Sequence, residues 1–103
     1  MSLTLKDDLN FTQDGKHISA LRIPHSTNGS GWGSLLLPVI VVRNGTGPTV
    51  LFTGGNHGDE YEGPIALRKL ANELKAEDIQ GQVIIGPYLN FPAVLAGTRL
   101  SPV

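Results

Sequence analysis

At 103 residues the chain has the length of one small domain, and its 8 Lys and Arg against 9 Asp and Glu give a formal net charge of -1. The basic residues are scattered, which argues against nucleic acid and an anionic membrane surface as partners. Cysteine is absent, excluding disulfides, thiolate metal sites and thiol nucleophiles while permitting a reducing compartment.

Met1 to Asp8 carries neither the basic start nor the apolar stretch of a secretory signal, and a soluble cytoplasmic protein is expected. Asp14-Gly15, between Leu9–Gln13 and the alternating His17–Ile23, predicts a hairpin with a tight turn, and Pro24 closes its second strand. Ser26 to Gly33 is small and polar apart from Trp32 and reads as a surface loop, with Trp32 best explained by packing on a sheet. Leu35 to Val42, interrupted by Pro38, is the longest apolar run; it is far shorter than the ~20 residues of a membrane helix and predicts a buried strand over 34–43. Asn44 to Pro48 turns the chain into a strand over 49–53.

A helix is expected from Glu60 or Tyr61 to about Ala76, with Pro64 and three acids at its start and Ile65, Leu67, Leu70, Ala71 and Leu74 as apolar positions. Gln82 to Ile85 then forms a strand parallel to 49–53, and Phe91 to Ala96 a short helical turn. The fold class is therefore α/β: β-hairpins lead into a strand-helix-strand unit.

The motif Thr53-Gly-Gly-Asn-His-Gly-Asp-Glu-Tyr-Glu-Gly63 lies where the strand ends and the helix begins. Ligands collect at the carboxyl ends of parallel strands, and imidazole and carboxylate are zinc ligands, so His57 and Glu60 are candidates for a divalent metal. Gly54 and Gly55 allow a sharp turn out of the strand and Gly58 a second turn into the helix. A Glu three residues after a His also arises by chance, so spacing alone leaves both a metal site and ordinary turn chemistry open. Phosphate binding at the helix start is disfavoured, because the loop has no lysine and Glu60 and Glu62 would repel an anion. Asp59 either orients His57 or simply suits a helix N-terminus, the latter being preferred. Asn90 either fixes the loop that carries Arg99 or is ordinary turn chemistry at a strand end, the latter being preferred, and His17 and His25 read as ordinary surface or strand histidines.

Residues 53–64 together with Leu89-Asn-Phe-Pro-Ala-Val-Leu-Ala-Gly-Thr-Arg-Leu-Ser-Pro102 resemble the succinylglutamate desuccinylase and aspartoacylase family of the zinc carboxypeptidase group. The branch most like this chain includes deacylases of acetylated diaminobutyrate, with a β-rich lead-in and a similar Gly-Trp-Gly stretch. The resemblance implies a zinc-carboxypeptidase-like mixed sheet, with a lead-in over about 1–47 and the metal-bearing strand-helix-strand over about 48–103. It also implies that His57 and Glu60 are the first two zinc ligands and that Arg99 is both a catalytic and a substrate-binding residue, polarising the scissile carbonyl. A guanidinium suits that role because it stays charged and offers several donors to a developing oxyanion.

In the family an Asn-Arg pair for a substrate carboxylate, a third ligand histidine and a catalytic glutamate follow this arginine, and none of them lies before Val103. The expectation is thus the N-terminal part of an incomplete domain from a zinc-dependent hydrolase of N-acyl amino acids. These 103 residues alone would be inactive, bind zinc weakly or not at all, and self-associate through exposed sheet edges. The alternative is a non-catalytic module or degenerate relative with the same fold.

Overall fold

The computed structural model describes residues 10–24 and 34–101. His25, the loop over 26–33 with Trp32, and Leu9 fall outside them. Four strands, β1 (Gly15–Pro24), β2 (Ser34–Asn44), β3 (Thr49–Thr53) and β4 (Gly81–Gly86), form one mixed sheet in the order β1-β2-β4-β3. Two helices, α1 (Glu62–Glu73) and α2 (Phe91–Ala96), follow β3 and β4, with a 3-10 turn at Ala76–Asp78 between α1 and β4. This is the expected α/β arrangement.

β1 runs antiparallel to β2 in an unbroken register from Gly15 opposite Arg43 to Pro24 opposite Ser34. The hairpin expected at Asp14-Gly15 does not form among the described residues. Asn10 Oδ1 instead accepts from the Thr12 and Gln13 amides, at 2.9 and 3.0 Å, curling this segment into a side-chain-capped turn that competes with a strand ladder. The Asp14 carboxylate pairs with Arg43 and accepts from the Gly45 amide at 3.1 Å, fastening the start of β1 to the end of β2. Pro38 is tolerated because β4 pairs with β2 only from Ile40 to Asn44, so beside Pro38 the strand has β1 alone and a missing N–H need break no second ladder.

The turn over 44–48 does not bring β3 beside β2. β4 lies between them, parallel to β3 from Thr49 opposite Gln82 to Thr53 opposite Gly86 and antiparallel to β2. The turn is held from below by Asn44 Nδ2 donating to Ile79 O at 3.0 Å and by the Gln82 amide donating to Pro48 O at 3.0 Å.

The core lies where α1 crosses the sheet, with Ile40, Val42, Ala71 and Ile85 buried and Leu67, Leu70, Leu74 and Val83 packed around them. Leu67, Leu70, Ala71 and Leu74 repeat at helical spacing and form one face. Ile65, another of the apolar positions, lies off that face and is exposed. α1 ends earlier than expected, at Glu73, because Leu74 turns extended and Lys75 and Asp78 close the following turn through reciprocal bonds of 3.0 Å. Among the described residues β3 is the outer strand, and all five of its residues are exposed, including Val50, Leu51 and Phe52.

Ile85 is fully buried and Ile18 is 77% exposed. Ile85→Ala is expected to cost about 2–4 kcal/mol in urea denaturation and Ile18→Ala less than about 0.5 kcal/mol; equal losses would place the core elsewhere. Because β3 offers an unpaired apolar edge, the 103-residue chain is expected to self-associate, and light scattering that finds only monomer across the micromolar range would contradict this.

Candidate metal centre

The site begins with the parallel pairing of β3 and β4, which delivers two loops to one end of the sheet. The ladder continues beyond the strands: the Gly54 amide donates to Gly86 O at 3.1 Å, the Leu89 amide to Gly54 O at 2.7 Å and the Asn90 amide to Gly55 O at 3.0 Å. Gly55 takes φ +72°, a left-handed conformation that side-chain-bearing residues rarely adopt, so the expected sharp exit from the strand is present there.

Asn90 caps α2, its Oδ1 accepting from the Ala93 amide at 3.4 Å, with Pro92 in the first helical turn. α2 ends at Gly97, where the Thr98 amide donates to Ala93 O at 3.1 Å and the Gly97 amide to Val94 O at 3.2 Å, the paired bonds of a Schellman motif. Arg99 leaves this closed turn in a fixed direction. Asn90 thus fixes the segment that leads to Arg99, the alternative to plain turn chemistry, and the Asn-x-Pro signal with the later glycine marks such a capped helix in the sequence.

Gly58 acts differently from expectation. Its φ is not positive; instead a Cβ there would lie 1.9 Å from Ala93 O and 2.3 Å from Thr98 O. Close approach of the two loops, not backbone freedom, requires glycine at this position.

These contacts bring His57, Glu60 and Arg99 together. His57 Nδ1 lies 3.3 Å from Arg99 O, a carbonyl that can only accept, and the tautomer protonated at Nδ1 satisfies this contact. Nε2 lies 3.5 Å from Arg99 Nη2, while Arg99 Nη1 donates to Glu60 Oε1 at 3.4 Å. The Glu60 amide also donates to His57 O at 3.3 Å, setting the spacing between the two residues. Both His57 ring nitrogens therefore face Arg99, and exposed Asp59 holds neither. His17 lies in β1, where its Nε2 is 3.2 Å from Gln13 O.

An imidazole nitrogen and a carboxylate oxygen converge on one cation, the Arg99 guanidinium. This is a ligand pair that zinc accepts. No set of three His, Cys, Asp or Glu residues gathers among the described residues, so the pair stands without a third ligand there. A groove of about 460 Å³ between α1 and the β1–β2 face is lined by Lys16, Ile18, Pro38, Arg68 and Tyr88. It contains no metal-ligating acid or imidazole.

The family model for the succinylglutamate desuccinylase/aspartoacylase catalytic domain matches residues 46–103. The chain belongs to this family. It is 54% identical over 94 residues to the N-alpha-acetyl-L-2,4-diaminobutyric acid deacetylase of Halomonas elongata, covering 91% of this chain and 28% of that protein. The product-bound ectoine utilization protein EutE (DoeB) of Ruegeria pomeroyi superposes with a TM-score of 0.90 at 49% identity, over 94% of this chain and 30% of that one. A succinylglutamate desuccinylase/aspartoacylase from Rhodobacter sphaeroides gives 0.89 at 54% identity, over 93% and 30%. The chain thus spans less than a third of the length of each of these family members.

Gly58→Ala must separate the two loops because its neighbours are main-chain atoms. It is expected to destabilise the protein by about 1–3 kcal/mol in denaturant titration, whereas Asp59→Ala, on an exposed residue without a bond to His57, should stay within about 0.5 kcal/mol. An unperturbed Gly58→Ala protein would refute the close approach.

Proposed function

We propose that the protein is a zinc-dependent hydrolase that cleaves the amide bond of an N-acyl amino acid, and that this chain supplies part of its active site. The observation that carries the reading is the convergence of His57, Glu60 and Arg99 from two loops at the carboxyl ends of parallel strands. Membership of the family and the activity printed for the Halomonas elongata relative support it, and make N-acetyl-2,4-diaminobutyrate the first substrate to test.

His57 and Glu60 would hold the metal. When bound, zinc supplies a Lewis acid and lowers the pKa of a coordinated water to about 7. Arg99 would donate to the acyl oxygen, where negative charge develops during attack, and its permanent charge suits that task. The main-chain bond from His57 Nδ1 to Arg99 O would keep the imidazole oriented toward its ligand position. The third ligand, the pair binding the substrate carboxylate and the general base would belong to sequence beyond the 103 residues.

Metal content and amidase activity of the complete protein test this reading against a panel of N-acyl amino acids. His57→Ala and Glu60→Ala are each expected to lose both metal and activity, while Arg99→Ala should keep the metal and lose about 10²–10³-fold in kcat. Full activity without metal, or in both ligand variants, would overturn the proposal.

A further inference from the structure

The sheet is covered unevenly on the face that carries α1. Four strands spaced about 4.8 Å apart span roughly 19 Å, whereas an α-helix is about 10 Å across and covers about two of them. α1 takes the half that holds the core: Ala71 is buried with Ile40 and Val42 of β2 and Ile85 of β4, and no described residue of β1 belongs to that core. Ile18 of β1 stands directly opposite Ile40 and so shares its face, yet Ile18 is 77% exposed. Between α1 and β1 runs the groove of about 460 Å³, with Lys16 and Ile18 on one side, Arg68 and Asn72 on the other, and buried Ile40 and Ala71 among its lining.

We propose that this groove is the seat of a second helix of the complete protein, one that lies beside α1 across β1 and β2 and carries acidic side chains that meet Lys16 and Arg68. Charge and length select that occupant. The ion pairs among the described residues are Arg43 with Asp14 and Arg99 with Glu60, so Lys16 and Arg68 take part in none, and no acid lines the groove. A helix with an apolar stripe flanked by carboxylates complements an apolar groove with a cation on each side. The family members carry more than two-thirds of their length outside the part that matches this chain. A segment already tethered to the sheet docks without the translational and rotational cost that a free partner incurs. With a second helix in place, both halves of this sheet face would be covered, as layered packing requires. None of His57, Glu60 and Arg99 lines the groove, so its role is separate from the metal reading.

The test substitutes the photocrosslinker p-benzoylphenylalanine at position 18 of the complete protein, where the exposed side chain leaves the strand undisturbed, and maps the irradiated product by peptide mass spectrometry. The expected product is a crosslink within one chain to a segment outside residues 1–103 that combines apolar residues at helical spacing with Asp or Glu. A crosslink to a second copy, or none at all, overturns the proposal. Thermal melts of the complete protein test the charge. Arg68→Glu is expected to lower Tm by about 2–4 °C, and Lys69→Glu, the same change one position along α1 and outside the groove, to leave it within about 1 °C. Ile18→Ala, which costs little in the 103-residue chain, is expected to lower Tm of the complete protein by about 3–6 °C beneath a second helix. Equal shifts for Arg68→Glu and Lys69→Glu, or an unchanged Tm for Ile18→Ala, also overturn the proposal.

Discussion

Main-chain hydrogen bonds from Gly54 to Gly86, from Leu89 to Gly54 and from Asn90 to Gly55 extend the β3–β4 ladder past the last strand pair, and the candidate site depends on them. His57 and Arg99 are 42 positions apart, and bringing them together carries the loop-closure cost of such a separation. The parallel ladder meets that cost once, for the whole unit, and the three bonds convert strand pairing into loop pairing. Gly55, Gly86 and Pro87 are buried, so opening this seam would strand polar backbone groups away from water.

Rigidity and mobility are divided along that seam. The backbone is over-determined by the extended ladder, by the Asn90 cap, by the turn at Gly97 and by the contact of Gly58 with Ala93 and Thr98. The side chains that meet there are largely exposed and joined by long, weak contacts. A scaffold of this kind keeps the main chain of both loops fixed while the side chains at their tips stay largely solvated.

Much of the fold was legible because local signals agreed. Pro64 and the acids before it, the helical spacing of Leu67, Leu70, Ala71 and Leu74, and the β-branched run after Gly81 all pointed to strand, helix and strand. The failures share a cause, since pairing partners are not a local property. Asp14-Gly15 looks like a hairpin turn, but Asn10 takes the nearby amides and Asp14 reaches across to Arg43 and Gly45, leaving β1 to pair forward with β2. The turn before Thr49 likewise gave no sign that β4 would insert between its two strands. At the site, His57 and Glu60 were singled out by their spacing at a strand end, whereas Arg99 came only from family resemblance because nothing in sequence spacing relates it to a motif so far upstream. That Gly58 is needed for close packing, and that Arg99 bridges both ligand candidates, are three-dimensional facts with no one-dimensional trace.

The central claim is that His57 and Glu60 are ligands of one metal ion. An anomalous difference map at the zinc edge, from crystals of the complete protein, tests it most directly. The account predicts a single strong peak about 2.0–2.2 Å from a His57 nitrogen and a Glu60 carboxylate oxygen. A peak held by other residues, with neither His57 nor Glu60 in contact with it, would contradict it.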